Sequence, residues 1–156
     1  MIEDAVHDLL SESAQKTLET MFFAMPDQVS AEAHRPAGEL IVASLTFLGS
    51  PPGRFGIVVS EPVARTLATN FMGADEGTRL LPAQVAGVIG ELTNMICGAV
   101  LSELEANANF DLSAPEWIHV KAEDPGPDIT AGSPSICRFE FSDGALIFFL
   151  TFEELV

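Results

Sequence analysis

Cys137-Arg138-Phe139-Glu140-Phe141-Ser142-Asp143-Gly144-Ala145-Leu146-Ile147-Phe148-Phe149-Leu150-Thr151-Phe152 is the stretch from which the fold is first read. Cys137, Phe139 and Phe141 alternate with Arg138, Glu140 and Ser142, the period of two that sends successive side chains to opposite faces of a strand. Asp143-Gly144 supplies the turn, and Ala145 to Phe152 returns as the second strand. A second strand–turn–strand unit lies upstream. Glu39 to Leu48 is an extended apolar run, Gly49-Ser50-Pro51-Pro52-Gly53 is a turn signal, and Phe55, Ile57 and Val59 alternate with Arg54, Gly56 and Val58.

Helices separate these units. Ala5 to about Met25 has helical character with Leu9, Leu10, Leu18, Met21 and Phe22 among its apolar residues, and Pro26 ends it. A shorter helix follows Ser60, which can cap it; Pro62 is tolerated in the first turn and Gly73 can close it. A long helix is expected from about Pro82 to Asn107, then a strand over Pro115 to Lys121 and a mobile loop over Glu123 to Pro134. Helices and mostly antiparallel strands in separate runs mean an α+β chain, read as a single domain over 1–156. Both halves read as a helix followed by paired strands. Aligning Thr17-Leu18-Glu19-Thr20-Met21 with Glu91-Leu92-Thr93-Asn94-Met95 hints at a degenerate internal duplication.

Charge limits the partners. The 156 residues carry 23 Asp plus Glu against 7 Lys plus Arg, a formal net charge of -16, yet 47% are hydrophobic and mean hydropathy is +0.29. Such a chain has ample material for a core, and its surface would repel a phosphate backbone or an anionic membrane. Nucleic acid and membrane are therefore excluded as partners. The N-terminus is acidic, and the longest wholly apolar run is Ala145 to Leu150, so the expectation is a soluble cytoplasmic protein.

Chemistry is sparse. No phosphate-binding glycine loop, nucleophile elbow or zinc-helix motif is present, and His7, His34 and His119 stand alone. Cys97 and Cys137 form no CxxC and read as small buried hydrophobes. The long helix is different. At ~100° per residue, Val85, Val88, Ile89, Leu92, Met95, Ile96 and Ala99 form one broad stripe facing the core. Glu91 and Asn94, three apart, share another surface, with Gly87, Gly90, Cys97 and Gly98 around them. Three glycines in a helix cost about 1 kcal/mol each relative to alanine. Two explanations fit equally: close packing of a neighbouring helix, or a partner protein that brings its own site down onto a bare face.

Gly90-Glu91-Leu92-Thr93-Asn94-Met95-Ile96-Cys97-Gly98 resembles the E-x-x-N helix motif of the CheC/CheX/FliY chemotaxis phosphatases, above all the single-site CheX branch. The Ser60-Glu61-Pro62 helix start and Ser113-Ala114-Pro115 before a strand are similar too. The resemblance implies long helices packed on one face of a sheet and a substrate that is a phosphorylated response-regulator receiver domain, CheY-like. It implies that Asn94 orients the attacking water and that Glu91 pairs with the receiver's lysine, with Gly87, Gly90 and Gly98 in the docking surface. Mg²⁺ would sit on the receiver, so no cofactor or metal is expected on this chain. Ala99 follows Gly98 where family members commonly carry Asn, and Thr17 and Thr20 stand where a second site would need Glu and Asn. A homodimer joined edge to edge through sheets is also implied; Ala145 to Phe152, apolar on both faces, suits such an edge or a central strand. The rival readings are a CheX-like module that binds a signalling or motor partner without turnover, and a structural dimerisation domain in which Glu91 and Asn94 are buried.

Overall fold

Both expected strand pairs form, and they join side by side into one seven-stranded antiparallel sheet. The structure, a computed structural model, describes residues 2–49, 51–75, 77–104 and 109–153. In chain order the elements are α1 (Ile2–Met21), β1 (Gln28–Ser30), β2 (Leu40–Leu48), β3 (Gly53–Ser60), α2 (Glu61–Met72), α3 (Pro82–Leu104), β4 (Asp111–Leu112), β5 (Glu116–Val120), β6 (Ser135–Phe141) and β7 (Gly144–Phe152). The sheet runs β1-β6-β7-β3-β2, with β4 and β5 both paired to the outer side of β2. The order is palindromic. β3 and β7 meet at the centre, each followed outward by its own hairpin partner, and each outer hairpin strand is flanked by a strand from the other half of the chain. The expected duplication of helix and paired strands is thus visible as topology, with β1 and β5 exchanged between the halves.

Alternation divides the sheet into two faces. Ile41, Ala43, Leu45 and Phe47 of β2, Phe55, Ile57 and Val59 of β3, and Leu146, Phe148 and Leu150 of β7 point toward the helices. They meet Leu10, Leu18 and Phe22 of the α1 region, Leu67 of α2, and Ile89, Leu92 and Ile96 of α3 in the main core. Phe148 stacks with Phe55 and takes the edge of Phe139, which fixes the centre of this layer. Leu40, Val42, Val58, Ile147 and Phe149 point the other way into a smaller cluster that also buries Val120 and Ile129. Ile129 comes from the proline-rich segment expected to be a mobile loop. That segment has no regular structure, but it covers the outer face, and the Arg35 guanidinium donates to the carbonyls of Lys121, Ala122 and Asp124 to hold its start.

Several expectations are corrected. β7 lies between β6 and β3, so Ala145 to Phe152 is a central strand and offers no dimer edge. Gly144 is paired with Phe141 as the first residue of β7, leaving Ser142-Asp143 as the turn. α1 ends at Met21 instead of Met25. Ala24 donates to the Leu18 carbonyl, and Phe23 takes the left-handed conformation (φ 52°) that follows a helix, so the chain has turned before Pro26. Ser60 occupies the N-cap position of α2 but makes no side-chain cap; its hydroxyl bonds Ala145 across to β7. Pro62 and Gly73 behave as expected, Gly73 closing α2 at φ 63°. α3 is described to Leu104, and the expected end at Asn107 lies outside the described residues. β1 and β4 carry too few residues for a periodic signal.

Candidate active site

α3 owes its start to proline and glutamine chemistry. Pro82 lies in its first turn, where an N–H has no helical partner, and Gln84 Oε1 accepts the Leu81 N–H at 2.8 Å, reaching back as in a capping box. Its length and hydropathy alone would allow a membrane span, but 61% of the apolar window is buried inside the fold. α3 is the middle helix of the layer, with α1 and α2 both packed against it and β2 beneath. It therefore buries more than one stripe. Val85, Val88, Ile89, Leu92, Ile96, Val100 and Leu101 enter the core, and Thr93 is buried too, with its hydroxyl donating to the Ile89 carbonyl at 2.7 Å.

What remains open is narrow. Glu91 and Gly87 are exposed; Asn94 and Gly98 are half-buried. Among the described residues neither the Glu91 carboxylate nor the Asn94 carboxamide has a hydrogen-bond or ion-pair partner. A Cβ added at Gly87 or Gly98 would meet no atom within 4 Å. Among the described residues those two glycines are therefore not spacers for a neighbouring helix. Gly90 differs: it is buried, and a Cβ there would come 3.4 Å from Pro115, just before β5. It belongs to internal packing more than to the open face.

Cys97 is also corrected. It is fully buried in the main core rather than beside Glu91 and Asn94, and burial pushes its thiol up to about 12. The same holds for Cys137, with the Ser11 hydroxyl opposing the rise only weakly. Neither thiol can act as a nucleophile near neutral pH. In the first half, Leu18 is as buried as its counterpart Leu92, so the aligned helices face the core in the same way. Thr17 is half-buried, and Thr20 bonds back to the Lys16 carbonyl at 2.7 Å, so no carboxylate–carboxamide pair is repeated there. The histidines serve elsewhere: His7 Nδ1 donates to the Ile136 carbonyl at 2.8 Å, tying α1 to β6. Among the described residues no three His, Cys, Asp or Glu side chains converge as metal ligands.

A carboxylate and a carboxamide, unpaired on a helix face lined by two bare glycines, can bind or orient a group brought by another molecule. The family model for chemotaxis phosphatase CheX matches residues 41–125, which include this whole face. The chain belongs to the CheX family. Solved CheX structures share its fold along nearly the full length. The Vibrio vulnificus chemotaxis protein CheX is 22% identical, with 94% of this chain and 95% of that chain covered and a TM-score of 0.75. CheX from Desulfovibrio desulfuricans is 18% identical over 96% and 99%, also at 0.75. A CheX–CheY complex with BeF3 and Mg²⁺ from Borrelia burgdorferi matches at 16% identity over 94% and 97%, with a TM-score of 0.70. No curated protein matches the chain. At such identities the solved CheX structures speak for the fold, and the α3 face is the part of this CheX-family chain with the chemistry of a site.

Proposed function

We propose that this protein accelerates hydrolysis of the aspartyl phosphate of a CheY-like receiver domain. The observation that carries the proposal is the exposed Glu91 beside Asn94, whose carboxamide has no partner among the described residues, on a stripe of α3 where a Cβ at Gly87 or Gly98 would meet no described atom within 4 Å. Loose phosphoryl-transfer transition states need positioning and charge stabilisation more than covalent chemistry. The Asn94 carboxamide can accept from and donate to a water in line with phosphorus, and being neutral it adds no repulsion beside the phosphoryl oxygens. A carboxylate in that place would repel them, so Glu91 pairs with the receiver's lysine and fixes the docking. Mg²⁺ belongs to the receiver, where it offsets phosphoryl charge; this chain contributes position. The bare surfaces at Gly87 and Gly98 let the receiver's backbone approach closely. The protein acts in the cytoplasm as a homodimer, and β5, paired on one side only, is an available sheet edge.

The half-buried Ala99 after Gly98 favours a second reading, a module that docks on a receiver without turnover. The reading as a structural dimerisation domain would need a second copy to cover Glu91, which is exposed in the single chain, and Asn94, which is half-buried. The test is decay of a phosphorylated receiver in Mg²⁺, with and without substoichiometric protein. Faster decay supports the phosphatase. Binding that depends on Glu91 with no gain in hydrolysis selects the docking module.

A further inference from the structure

We infer that the outer face of the sheet carries a groove for a small apolar molecule bearing one carboxylate, and that Ile129 plugs this groove in the free chain. Alternation builds the floor: Val42 of β2, Val58 of β3, and Ile147 and Phe149 of β7 all face away from the helices, and Ile129 is buried among them. Two cavities of about 160 and 150 Å³ share Val42, Pro127, Asp128 and Ile129 as walls. One continues along β2 to Ser44 and the other to Leu40, so Ile129 divides a single groove that follows the strand for about 13 Å. Each cavity is smaller than the ~300–1,000 Å³ of a typical ligand site, and the two joined by the space under Ile129 reach that range. No residue of β5 lines the cavity at the Leu40 end, so its walls do not depend on what pairs with that sheet edge.

Little holds the plug in place. Among the described residues, the hydrogen bonds of residues 125–133 stay inside that segment: Asp128 Oδ1 accepts from the Thr130 N–H at 3.0 Å and from its hydroxyl at 2.6 Å, and the Ser133 N–H bonds the Thr130 carbonyl. Gly126 and Gly132, on either side of Ile129, are left-handed at φ 68° and 82°, so the turn between them can lift as a unit. The polar end of the groove is at Arg54. Its guanidinium lies over the Phe149 ring, 5.6 Å from the centroid, and has no ion-pair partner among the described residues. Thr151 stands directly opposite Arg54 in the strand register, and its Oγ1 is buried with no hydrogen-bond partner among those residues. Folded proteins seldom leave a buried hydroxyl unsatisfied. A guanidinium and a hydroxyl on paired strands offer the donors that a carboxylate accepts, beside an apolar floor that takes the rest of the molecule. Glu116 also borders this end and opposes an anion, whereas the Asp128 carboxylate is taken up by Thr130.

The test is calorimetric titration of octanoate into the full chain, with octanol and octyltrimethylammonium as matched probes. The expected result is saturable binding of one octanoate per chain, with octanol weaker by about tenfold and the cation weaker still. Arg54→Gln should bring octanoate down to the level of octanol, and Glu116→Gln should tighten it. Ile129→Ala should bind octanoate about tenfold more tightly than wild type, since lifting the plug no longer subtracts from affinity. No saturable binding of octanoate to wild type or to Ile129→Ala overturns the groove. Equal binding of all three probes, or octanoate binding undiminished in Arg54→Gln, overturns the assignment of a carboxylate to its polar end. Octanoate affinity that falls as the chain is concentrated gives the outer face to a second copy and overturns the groove as well.

Discussion

Asn94 and Cys97 are one helical turn apart and serve opposite purposes. Asn94 is half-buried and its carboxamide has no partner among the described residues, whereas Cys97 is sealed in the core. The sequence pattern alone puts both on one face, since a single core-facing stripe leaves the rest of a helix open. A helix flanked by neighbours on both sides buries a wider arc, and Cys97 and Gly90 fall inside it. Burial has a measurable consequence for both thiols, each raised from an ordinary value of 9.0 to about 12. The unfolded chain releases two thiol protons between pH 9 and 12 that the folded chain retains. Stability is therefore complete with respect to these groups below pH 9 and falls above it, by up to about 1.4 kcal/mol per pH unit for each thiol. Denaturant melts between pH 8 and 10.5 should show this slope, and Cys97→Ala should lose roughly half of it. Prompt reaction of native protein with a thiol reagent at pH 8 would contradict such burial.

At the scale of elements, α3 sacrifices stability at Gly87 and Gly98. A methyl group at either has free space, so helix propensity decides the outcome: Gly87→Ala and Gly98→Ala should each stabilise the fold by about 1 kcal/mol. For a domain of this size that is a rise in Tm of roughly 2–4 °C. The same changes should lower phosphatase activity by holding the receiver away. A gain in Tm with full activity would show that the glycines are not needed for docking. Contrast Gly56, where a Cβ would run into the Phe149 ring and substitution should destabilise. The two hairpins and the long helix were legible because their signals are local: period two, turn residues, an apolar stripe. β1 and β4 were not, since two or three residues carry no period and β1 pairs with β6 more than 100 residues away. Whether β7 is central or an edge depends on its neighbours, which an all-apolar strand does not reveal.

Over the whole molecule, the palindromic sheet repeats one arrangement twice, but the chemistry appears once. α1 presents Thr17 and Thr20 where α3 presents Glu91 and Asn94, so one receiver per chain is expected. The net charge of -16 then governs the encounter. Under the proposed function the receiver site is itself acidic, so the long-range field would oppose approach while a contact between Glu91 and the receiver's lysine would act at short range. Affinity should rise modestly as NaCl is increased from low ionic strength to about 0.15 M, where the screening length is ~8 Å. A steep fall in affinity with salt would mean that attraction between opposite charges drives docking. The Glu91 and Asn94 pair was legible from the i, i+3 spacing on a glycine-lined helix. That Gly90 faces inward was not, because it depends on Pro115 meeting Gly90 across 25 residues of chain.

The most direct measurement is phosphate release from a phosphorylated CheY-like receiver in Mg²⁺, comparing wild type with Asn94→Ala at equal receiver occupancy. Wild type should accelerate release above the receiver's own rate, and Asn94→Ala should bind the receiver yet lose on the order of a hundredfold in kcat. Release no faster with the wild-type protein than without it, or undiminished in Asn94→Ala, would contradict a catalytic role for the α3 face.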